Sequence, residues 1–564
     1  MRRFCIATDG ETDRIPCRLI NKRVTSEARV VQDQKSYDVI IVGGGPVGIG
    51  LAIDLAVNGV TCIVVERHAS IQRIPKGQNL TPRTGEHFRR WGVTEAIRAA
   101  SPIPRSYGSG GIASYRTFMS DYHYEWFNRA KIVNYYAATN ERLPQYETEA
   151  VLRARAVECE EITLLTGWSF DTLTQDEGGV TVRISQTSGD EHHTVSARYV
   201  VGCDGARSPV RQAAGITQTT DPHDRLMALL VFNSRQLDEK LSVYGDKTIF
   251  NAINPDMNGY WQFLGRVDLD CNWFFHAPVP AGTTRENFDF HAFLEKAVGA
   301  PIDVTFDYVG FWELRLSLAD NYGKGRVFIA GDAAHSHPPY GGYGVNTGFE
   351  DARNLSWKLA ACLQGWGGEH LLESYTAERH PVFASTRDDF ILKSIIEDRE
   401  FTDAYNPDLD LAGFKEAWGR RAAGDDSMVT QYLPHYAGSP IVCGQSGARS
   451  GATGRHGFAA RAGHHLSPPS LPDDADLWDQ LGKGFTLMNL TGDTALTAAF
   501  TAAAERRGIP LKTLDLAAAG LVNMYEAEAI LVRPDHFVAW AGAGAEGDAA
   551  DILDRATGMF GDDQ

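Results

Sequence analysis

The chain has 564 residues, with 54 lysines and arginines against 72 aspartates and glutamates, which gives a formal net charge of −18. A chain of this length exceeds a single hydrophobic core, so we expect about two to four domains. The acidic balance argues against a nucleic acid as partner. The eight cysteines are scattered without a C-x-x-C pair. This predicts neither a zinc site nor a disulfide framework, and it favours a reducing, cytoplasmic location.

The first residues, 1–36, carry no clear periodicity and no apolar segment of a secretory signal, so we interpret them as a flexible leader. The longest apolar run, Val39 to Val57, contains Asp54 and five glycines. It is therefore not expected to span a membrane.

The most informative stretch is DVIIVGGGPVGIGLAIDLAVNGVTCIVVER, which begins at Asp38. Its β-branched start predicts a strand buried on both faces, and a helix and a second strand are predicted after it. A G-x-G-x-x-G motif joins the first strand to the helix, with glycines at Gly43, Gly45 and Gly48. The second strand ends at Glu66 and Arg67.

This order is typical of a unit that binds a dinucleotide. The first glycine makes the turn, the second lets the backbone approach a pyrophosphate, and the third lets the helix pack on the strand. A G-x-G-x-x-G motif alone can arise by chance, but here strand, helix, second strand and terminal acid follow in order. The carboxylate of Glu66 would repel a 2′-phosphate, which disfavours NADP in this site and leaves NAD or FAD.

Two later stretches each contain a predicted strand that is followed directly by turn-forming residues. RYVVGCDGARSPVRQAAGI begins at Arg198 and places Asp204 after a short apolar strand. GRVFIAGDAAHSHPPYGGYGVNTGFEDARNLSWKLAACLQG begins at Gly325 and places Asp332 after another. A helix is predicted to open near Gly344 in the second stretch.

Together the three stretches resemble the fingerprints of class A flavoprotein monooxygenases, the p-hydroxybenzoate hydroxylase superfamily, over about Asp38 to Pro381. Length and C-terminal sequence point to the phenol hydroxylase, 2-hydroxybiphenyl and 2,4-dichlorophenol hydroxylase branch. The resemblance implies FAD as cofactor, NADPH or NADH as a transient co-substrate, and O2 and a small aromatic compound as substrates.

By position, the resemblance places Asp332 on the ribityl hydroxyls, Arg83 beside the FAD phosphates and residues 339–346 against the isoalloxazine. The family has P-R-A where this chain has Pro75-Lys76-Gly77, which puts the first arginine's role in doubt. The residues assigned to the cofactor site are Gly43, Gly45, Pro46, Val47, Gly48, Glu66, Arg67, Arg83, Gln145, Asp204, Asp332, Pro339, Gly342, Gly344, Val345 and Asn346.

Residues 216–320 alternate with turns and predict an antiparallel sheet, which in the family covers the aromatic substrate. One face of this sheet must cover the ring site, and the sequence leaves open which face that is. We predict that Gln262, Arg266 and His276 line the substrate pocket, with Gln78 near the flavin. The alternative is that each is an ordinary strand residue. No residue is identified as the base that deprotonates a phenol.

The predicted fold is α/β, with a Rossmann-type, glutathione reductase-like FAD-binding domain. The predicted parts are residues 37–215 and 321–400 for that domain, with some substrate-domain strands within 100–140, residues 216–320 for the substrate sheet, residues 401–475 for a helical segment and linker, and residues 476–564 for a thioredoxin-like domain. The last part has no C-x-x-C, so thiol redox chemistry is excluded. We expect this domain to have a structural role or to lie at a homodimer interface.

The expected reaction is hydroxylation of a phenolic compound by way of a flavin C4a-hydroperoxide. One alternative is a hydroxylase or Baeyer–Villiger oxygenase that acts on a heteroaromatic, polyketide or antibiotic-type compound. Another, of a different class, is a non-catalytic flavin-binding sensor. The sequence does not choose among aromatic substrates or between NADH and NADPH.

Overall fold

The computed structural model describes residues 36–107, 110–424, 427–469, 471, 476–542 and 549–561. The predicted leader lies outside these residues except for residue 36. No helix in the described ranges is both long and apolar enough to cross a membrane.

The first layer is an eight-stranded sheet in which six strands run in the order β16-β17-β10-β1-β2-β7, while β9 pairs with β10 and β8 pairs with β9. β1 is parallel to β2 and to β10, so these strands end at one edge of the sheet. The strands are β1 Tyr37–Val42, β2 Cys62–Glu66, β7 Ile162–Thr166, β8 Trp168–Gln175, β9 Val180–Gln186, β10 His192–Gly202, β16 Gly323–Lys324 and β17 Val327–Ile329.

Helices from three parts of the chain belong to this region. They are α1 Pro46–Val57, α2 Pro82–Trp91, α3 Thr94–Ala100, α4 Gln145–Glu158, α5 Pro209–Ala213, α8 Tyr343–Gln364 and α9 Glu373–Ser385. The charged residue in the apolar α1, Asp54, is fully buried and accepts hydrogen bonds from Arg90 and Trp91 at 2.9 and 3.0 Å. Arg353 on α8 also pairs with Asp54 at 3.0 Å, so this acid fastens three helices together.

The second layer is another eight-stranded sheet, in the order β18-β15-β11-β14-β13-β12-β4-β5. Its strands are β4 Gly111–Tyr115, β5 His123–Trp126, β11 Gln218–Asn233, β12 Ile249–Ile253, β13 Gln262–Arg266, β14 Asn272–Val279, β15 Thr305–Ala319 and β18 His335–Ser336. The helices α6 Arg235–Leu241 and α7 Phe290–Val298 belong to the same region, and a two-stranded ladder joins β3 Asn79–Leu80 to β6 Glu141–Arg142. Two of its strands, β4 and β5, come from the 100–140 segment.

After α9 the chain stays helical through a π-helical stretch, Thr386–Leu392, into α10 Lys393–Ala404, followed by α11 Leu411–Gly424 and α12 Ser427–Thr430. A short ladder then pairs β19 Tyr432–His435 with β20 Gly451–Thr453. The predicted linker is a packed segment, because Ile441, Ala452 and Leu466 are at most 1% exposed.

The C-terminal part has a four-stranded sheet in the order β22-β21-β23-β24, with β21 and β22 parallel and β23 antiparallel to β21. This strand order is that of a thioredoxin-like unit, as the sequence predicts. Its elements are α13 Leu477–Gln480, β21 Phe485–Asn489, α14 Thr494–Arg507, β22 Leu511–Asp515, α15 Val522–Tyr525, β23 Ala529–Val532, β24 Val538–Gly542 and α16 Ala549–Thr557.

Candidate cofactor and substrate site

The turn between β1 and α1 uses its three glycines differently. Gly43 has φ +106°, and a Cβ there would meet the carbonyl oxygen of Cys203 at 2.3 Å. A Cβ on Gly48 would meet the carbonyl oxygen of Gly43 at 2.0 Å. A Cβ on Gly45 would meet nothing within 4 Å. The protein's own packing therefore requires the two outer glycines, whereas Gly45 keeps space open at the start of the helix, where free N–H groups attract a phosphate.

Glu66 is held at the end of β2, beside this turn. Its carboxylate accepts hydrogen bonds from the backbone N–H groups of Gly44 and His68 at 2.6 and 2.7 Å. These bonds fix the acid where it could meet ribose hydroxyls. Arg67 is exposed, and its Nε donates a hydrogen bond to Nε2 of the adjacent His68 at 3.2 Å.

A cavity of about 370 Å³ lies between the two large sheets, beside the β1–α1 turn. This volume lies within the range of about 300–1,000 Å³ that is usual for ligand pockets. The predicted residues that line it are Gly45, Pro46, Val47, Gln78, Gln145, His276, Asp332, Pro339, Gly342, Gly344 and Val345. We call it the flavin cavity.

Asp332 follows β17 and is exposed within this cavity. The surrounding protein raises the pKa of its carboxyl by desolvation, an effect that His335 and Lys76 oppose. Asp204 lies near the same edge of the sheet, but its Oδ2 accepts a hydrogen bond from the N–H of Val210, in the first turn of the short helix α5, at 3.0 Å. Its neighbours Cys203 and Gly205 line the cavity instead.

The start of α8 forms another wall. Gly341 and Gly342 have φ +69° and +65°, a backbone conformation that favours glycine and turns the chain sharply into the helix. Gly344 and Val345, in the first turn, line the cavity. The positive end of the helix dipole and its free N–H groups would stabilise negative charge on a bound ring system.

Gln78 gives an independent sign that a polar ligand belongs here. Its side chain is 5% exposed, and neither its Oε1 nor its Nε2 has a hydrogen-bond partner. A buried amide with both ends unpaired costs several kcal/mol, roughly 1–3 for each group. The polar edge of an isoalloxazine offers both donor and acceptor, so the residues present fit a flavin.

The roof of the cavity is formed by Phe263 on β13 with Phe274 and His276 on β14. Phe263 is paired directly with His276 across the two strands. The Nδ1 atom of His276 has no partner, and burial lowers the pKa of the imidazole to about 4. His337 lines the opposite wall, and burial lowers its pKa to about 4 as well. Both rings are neutral at pH 7.

The predictions for Gln262 and Arg266 are wrong, because both lie on the other face of the same sheet. Gln262 is bonded to Asn254 at 3.4 Å. Arg266 pairs with Asp238, and its guanidinium stacks 4.4 Å from the ring of Trp273. Side chains alternate along a strand, so the face that carries Phe263 toward the cavity turns its neighbours away.

The roles of Arg83 and Asn346 also differ from those expected. Arg83 lies outside the flavin cavity, where it pairs with Glu86 at 2.8 Å and Glu350 at 2.9 Å and donates to the carbonyl oxygen of Asp535 at 2.7 Å. With its donors engaged in this way, Arg83 is not available to the FAD phosphates. The side chain of Asn346 also turns away, donating to the carbonyl oxygen of Gly342 at 2.6 Å and accepting from the N–H of Thr81 at 2.8 Å.

The cavity-lining residues that sequence reasoning missed include Lys76, Phe263, Phe274 and His337. Lys76 takes the position of the arginine that the family usually has, so the position carried a signal although the residue type differed. The two phenylalanines had no signal until the cavity-facing side of the sheet was known. In the described part of the chain no cluster of three or more His, Cys, Asp or Glu could hold a metal ion.

Comparison with known families assigns the class. A family model described as FAD binding domain matches residues 36–389, and one described as aromatic-ring hydroxylase, C-terminal, matches residues 460–562. The chain therefore belongs to the class A FAD-dependent monooxygenases, and its cofactor is FAD. The α/β fold class predicted from the sequence is confirmed.

Individual relatives cover the chain to different extents. A putative polyketide hydroxylase of Streptomyces halstedii is 38% identical over 363 residues, which are 62% of this chain and only 63% of that protein. The 4-methyl-5-nitrocatechol 5-monooxygenase of a Burkholderia species is 30% identical over 535 residues, 89% of this chain and 93% of that protein. The flavin-dependent monooxygenase PieE, solved with FAD and substrate, has a TM-score of 0.81 and 25% identity, covering 93% of this chain and 100% of that one.

Removing the acid in the flavin cavity should weaken FAD binding. We expect Asp332→Ala to raise the Kd for FAD about 10- to 150-fold, because hydrogen bonds to a charged group contribute about 1.5–3 kcal/mol. The protein would then purify nearly colourless, and titration of the apoprotein with FAD by flavin fluorescence measures the change. Asp320→Ala is the control, since Asp320 is exposed and does not line the cavity. Full FAD occupancy in Asp332→Ala would show that the ribityl assignment is wrong.

Proposed function

We propose that this protein is a single-component hydroxylase that uses NADPH or NADH and O2 to add a hydroxyl group to a hydroxylated aromatic compound. Its support is the flavin cavity, in which an apolar roof with a neutral histidine faces the segment assigned to the isoalloxazine. Bound FAD supplies the redox chemistry with the nicotinamide and with oxygen. The chain's own residues bind and orient the cofactor and the substrate, and they shield both from water.

The roof suits a flat substrate. Phe263 and Phe274 lie with their ring centroids 5.7 Å apart, and they form an apolar surface above the flavin-contacting segment. Burial of an aromatic ring against such surfaces contributes binding energy and excludes water. Exclusion of water by these side chains would keep the oxygen chemistry that bound FAD supplies directed at the substrate.

His276 is the group proposed to contact the substrate hydroxyl. A neutral imidazole with an unpaired ring nitrogen can accept the hydrogen bond of a phenol, and it would thereby increase electron density on the ring. The imidazole stays neutral above about pH 5 because burial holds its pKa near 4. We therefore propose His276 as the residue that polarises the substrate hydroxyl, a role to which the sequence assigned no residue.

We expect His276→Gln to lower kcat/KM by about 100-fold, the lower end of the range for a positioned acid–base group. In the parent protein kcat/KM should fall as the pH drops through about 4, where His276 takes up a proton, and the variant should lack that part of the fall. Steady-state rates against pH measure both effects. His291→Gln is the matched control, because His291 lies on α7 away from the cavity. Equal pH profiles for His276→Gln and the parent would refute the role.

The function itself is tested by substrate-stimulated oxidation of NADPH or NADH with the purified yellow protein. A panel of phenols, hydroxyquinones and polycyclic phenols is screened, and the products are identified by mass spectrometry. Stimulation together with a gain of one oxygen atom supports hydroxylation. Lactone formation would indicate the Baeyer–Villiger reaction, and no stimulation by any aromatic would favour the flavin-binding sensor.

A polycyclic, polyketide-type substrate is the second candidate within this reaction. The observation that favours it is the 38% identity to the putative polyketide hydroxylase, the higher of the two identities given above for curated relatives. Comparing kcat/KM for one-ring and multi-ring phenols decides between the two substrate classes. The same comparison tests whether the protein belongs to the narrower phenol hydroxylase branch.

Location and assembly are further proposals. The six described cysteines are free, which suits a reducing, cytoplasmic compartment. We also propose a homodimer, with the thioredoxin-like domain near its interface. Sedimentation velocity of the FAD-loaded protein measures the oligomeric state.

A further inference from the structure

A second cavity of about 70 Å³ lies between the start of α8 and the residues around α12 and β19. It shares no lining residue with the flavin cavity. This space is about a fifth of that in the flavin cavity. A small ligand therefore suits it better than a large one.

Arg129 lines this second cavity and is the unusual charge in it. The residue is 5% exposed, and its Nη2 donates to the carbonyl oxygen of Gly341 at 3.0 Å. The guanidinium also lies 4.3 Å from the ring centroid of Phe127. Within the described residues no carboxylate forms an ion pair with Arg129.

The other charged groups in the wall are already paired. Arg83 is bound to Glu350 at 2.9 Å, and Arg379 is bound to Asp351 at 2.7 Å. The carboxylates nearest to the cavity are thus committed to other partners. They leave one positive charge in the wall without compensation.

The phenols in the wall do not supply the missing negative charge. Burial raises the pKa of Tyr136, and it raises the pKa of Tyr343 well above its usual value. Both therefore stay neutral at pH 7. Burial lowers the pKa of Arg129 only to about 10, so Arg129 remains protonated. A buried, unpaired cation is costly, and proteins compensate such charges by pairing them.

We propose that the second cavity binds a small monovalent anion, a halide or a small carboxylate such as formate, against the guanidinium of Arg129. The anion would supply the missing charge, and the volume suits it. Arg129 is also bonded to Gly341, next to Gly342 in the wall of the flavin cavity. A bound anion should therefore stabilise the segment that contacts the flavin. Anion binding here is independent of the hydroxylation proposed above.

The test is the thermal midpoint of the FAD-loaded protein at constant ionic strength, with sodium gluconate replaced stepwise by sodium chloride, bromide or formate. Gluconate, a six-carbon anion, is much larger than a halide or formate and serves as the reference anion. A ligand that binds the folded state alone raises the midpoint in a saturable way, and we expect a rise of about 2–4 °C. The anion that saturates the rise at the lowest concentration, a halide or formate, is the one that the cavity prefers.

Arg129→Met should abolish the rise, whereas Lys296→Met should leave it unchanged. Lys296 is an exposed cation that pairs with Asp256 at 2.9 Å, so its variant controls for general salt effects. Ile132→Phe fills the cavity and keeps the arginine. It should also abolish the rise in the thermal midpoint, and it serves as the test should Arg129→Met fold poorly. No saturable rise in the parent protein, or an equal rise in Ile132→Phe, would overturn the anion site.

Discussion

Replacing Glu378 by alanine is expected to destabilise the protein by about 3–5 kcal/mol, the usual cost of leaving buried charges without their partner. Native proteins are stable by only about 5–15 kcal/mol, so this loss is large. Glu378 on α9 is fully buried and binds Lys358 on α8 at 2.7 Å. It also binds Arg533 of the C-terminal hairpin at 2.5 and 2.9 Å.

Asp535 completes this cluster by binding Arg533 at 2.6 Å. Two acids and two bases therefore neutralise one another where the thioredoxin-like domain meets the FAD-binding domain. Loss of Glu378 leaves a net positive charge at that contact. Burial already lowers the pKa of Lys358 to about 8 although Glu378 opposes the shift. Without the acid, Lys358 should release its proton near neutral pH, which limits the cost.

Thermal unfolding followed by tryptophan fluorescence and by release of FAD measures the effect. The control is Glu373→Ala on the same helix, because Glu373 is largely exposed and forms a single pair with His370 at 3.0 Å. Exposed pairs of this kind contribute about 0–1 kcal/mol. Equal unfolding midpoints for Glu378→Ala and Glu373→Ala would mean that the cluster does not hold the two domains together.

Gly45→Val should raise the Kd for FAD about 100-fold or more while the apoprotein stays folded. An ideal Cβ at Gly45 meets no atom within 4 Å, so the protein itself tolerates a side chain there. The added methyl groups would occupy the space through which the backbone approaches the pyrophosphate. Each charged hydrogen bond lost in this way costs about 1.5–3 kcal/mol.

Two other glycine variants make the measurement specific. Gly48→Ala should destabilise the apoprotein itself, because its Cβ would meet the carbonyl oxygen of Gly43 at 2.0 Å. Gly419→Ala, in the helix α11 with open space around it, should leave FAD binding unchanged and raise stability by up to about 1 kcal/mol, because alanine favours a helix more than glycine does. Circular dichroism, thermal unfolding of the apoprotein and FAD titration separate the cases. Normal FAD affinity in Gly45→Val would place the pyrophosphate elsewhere.

Local sequence patterns predicted the Rossmann-type unit well. β1 ends at Val42 and β2 at Glu66, as the β-branched runs and the acid indicate. The helix α14 shows the same local logic, since it spans Thr494–Arg507 between the N-cap Asp493 and the C-cap Gly508. Such predictions succeed because periodicity, glycine placement and capping act within a few neighbouring residues.

The position of Arg83 depends on contacts that no local pattern contains. Its partner Glu350 lies 267 residues away in the chain, and Asp535 lies 452 residues away. The family resemblance placed an arginine near the phosphates, but the nearby acids bind it more directly. A motif fixes a backbone position, whereas the direction of a long side chain depends on its whole surroundings.

By itself, the sequence determined the class of cofactor and the Rossmann-type unit that binds it, because strand, glycine turn, helix and acid are encoded in consecutive residues. Only the tertiary structure decided that Phe263 rather than Gln262 faces the flavin cavity. Both faces of that sheet are buried. The alternation of side chains along β13 therefore separates two sets of residues but does not show which set faces the cavity. The packing of α6 and α7 with one face of the sheet leaves the other to cover the site.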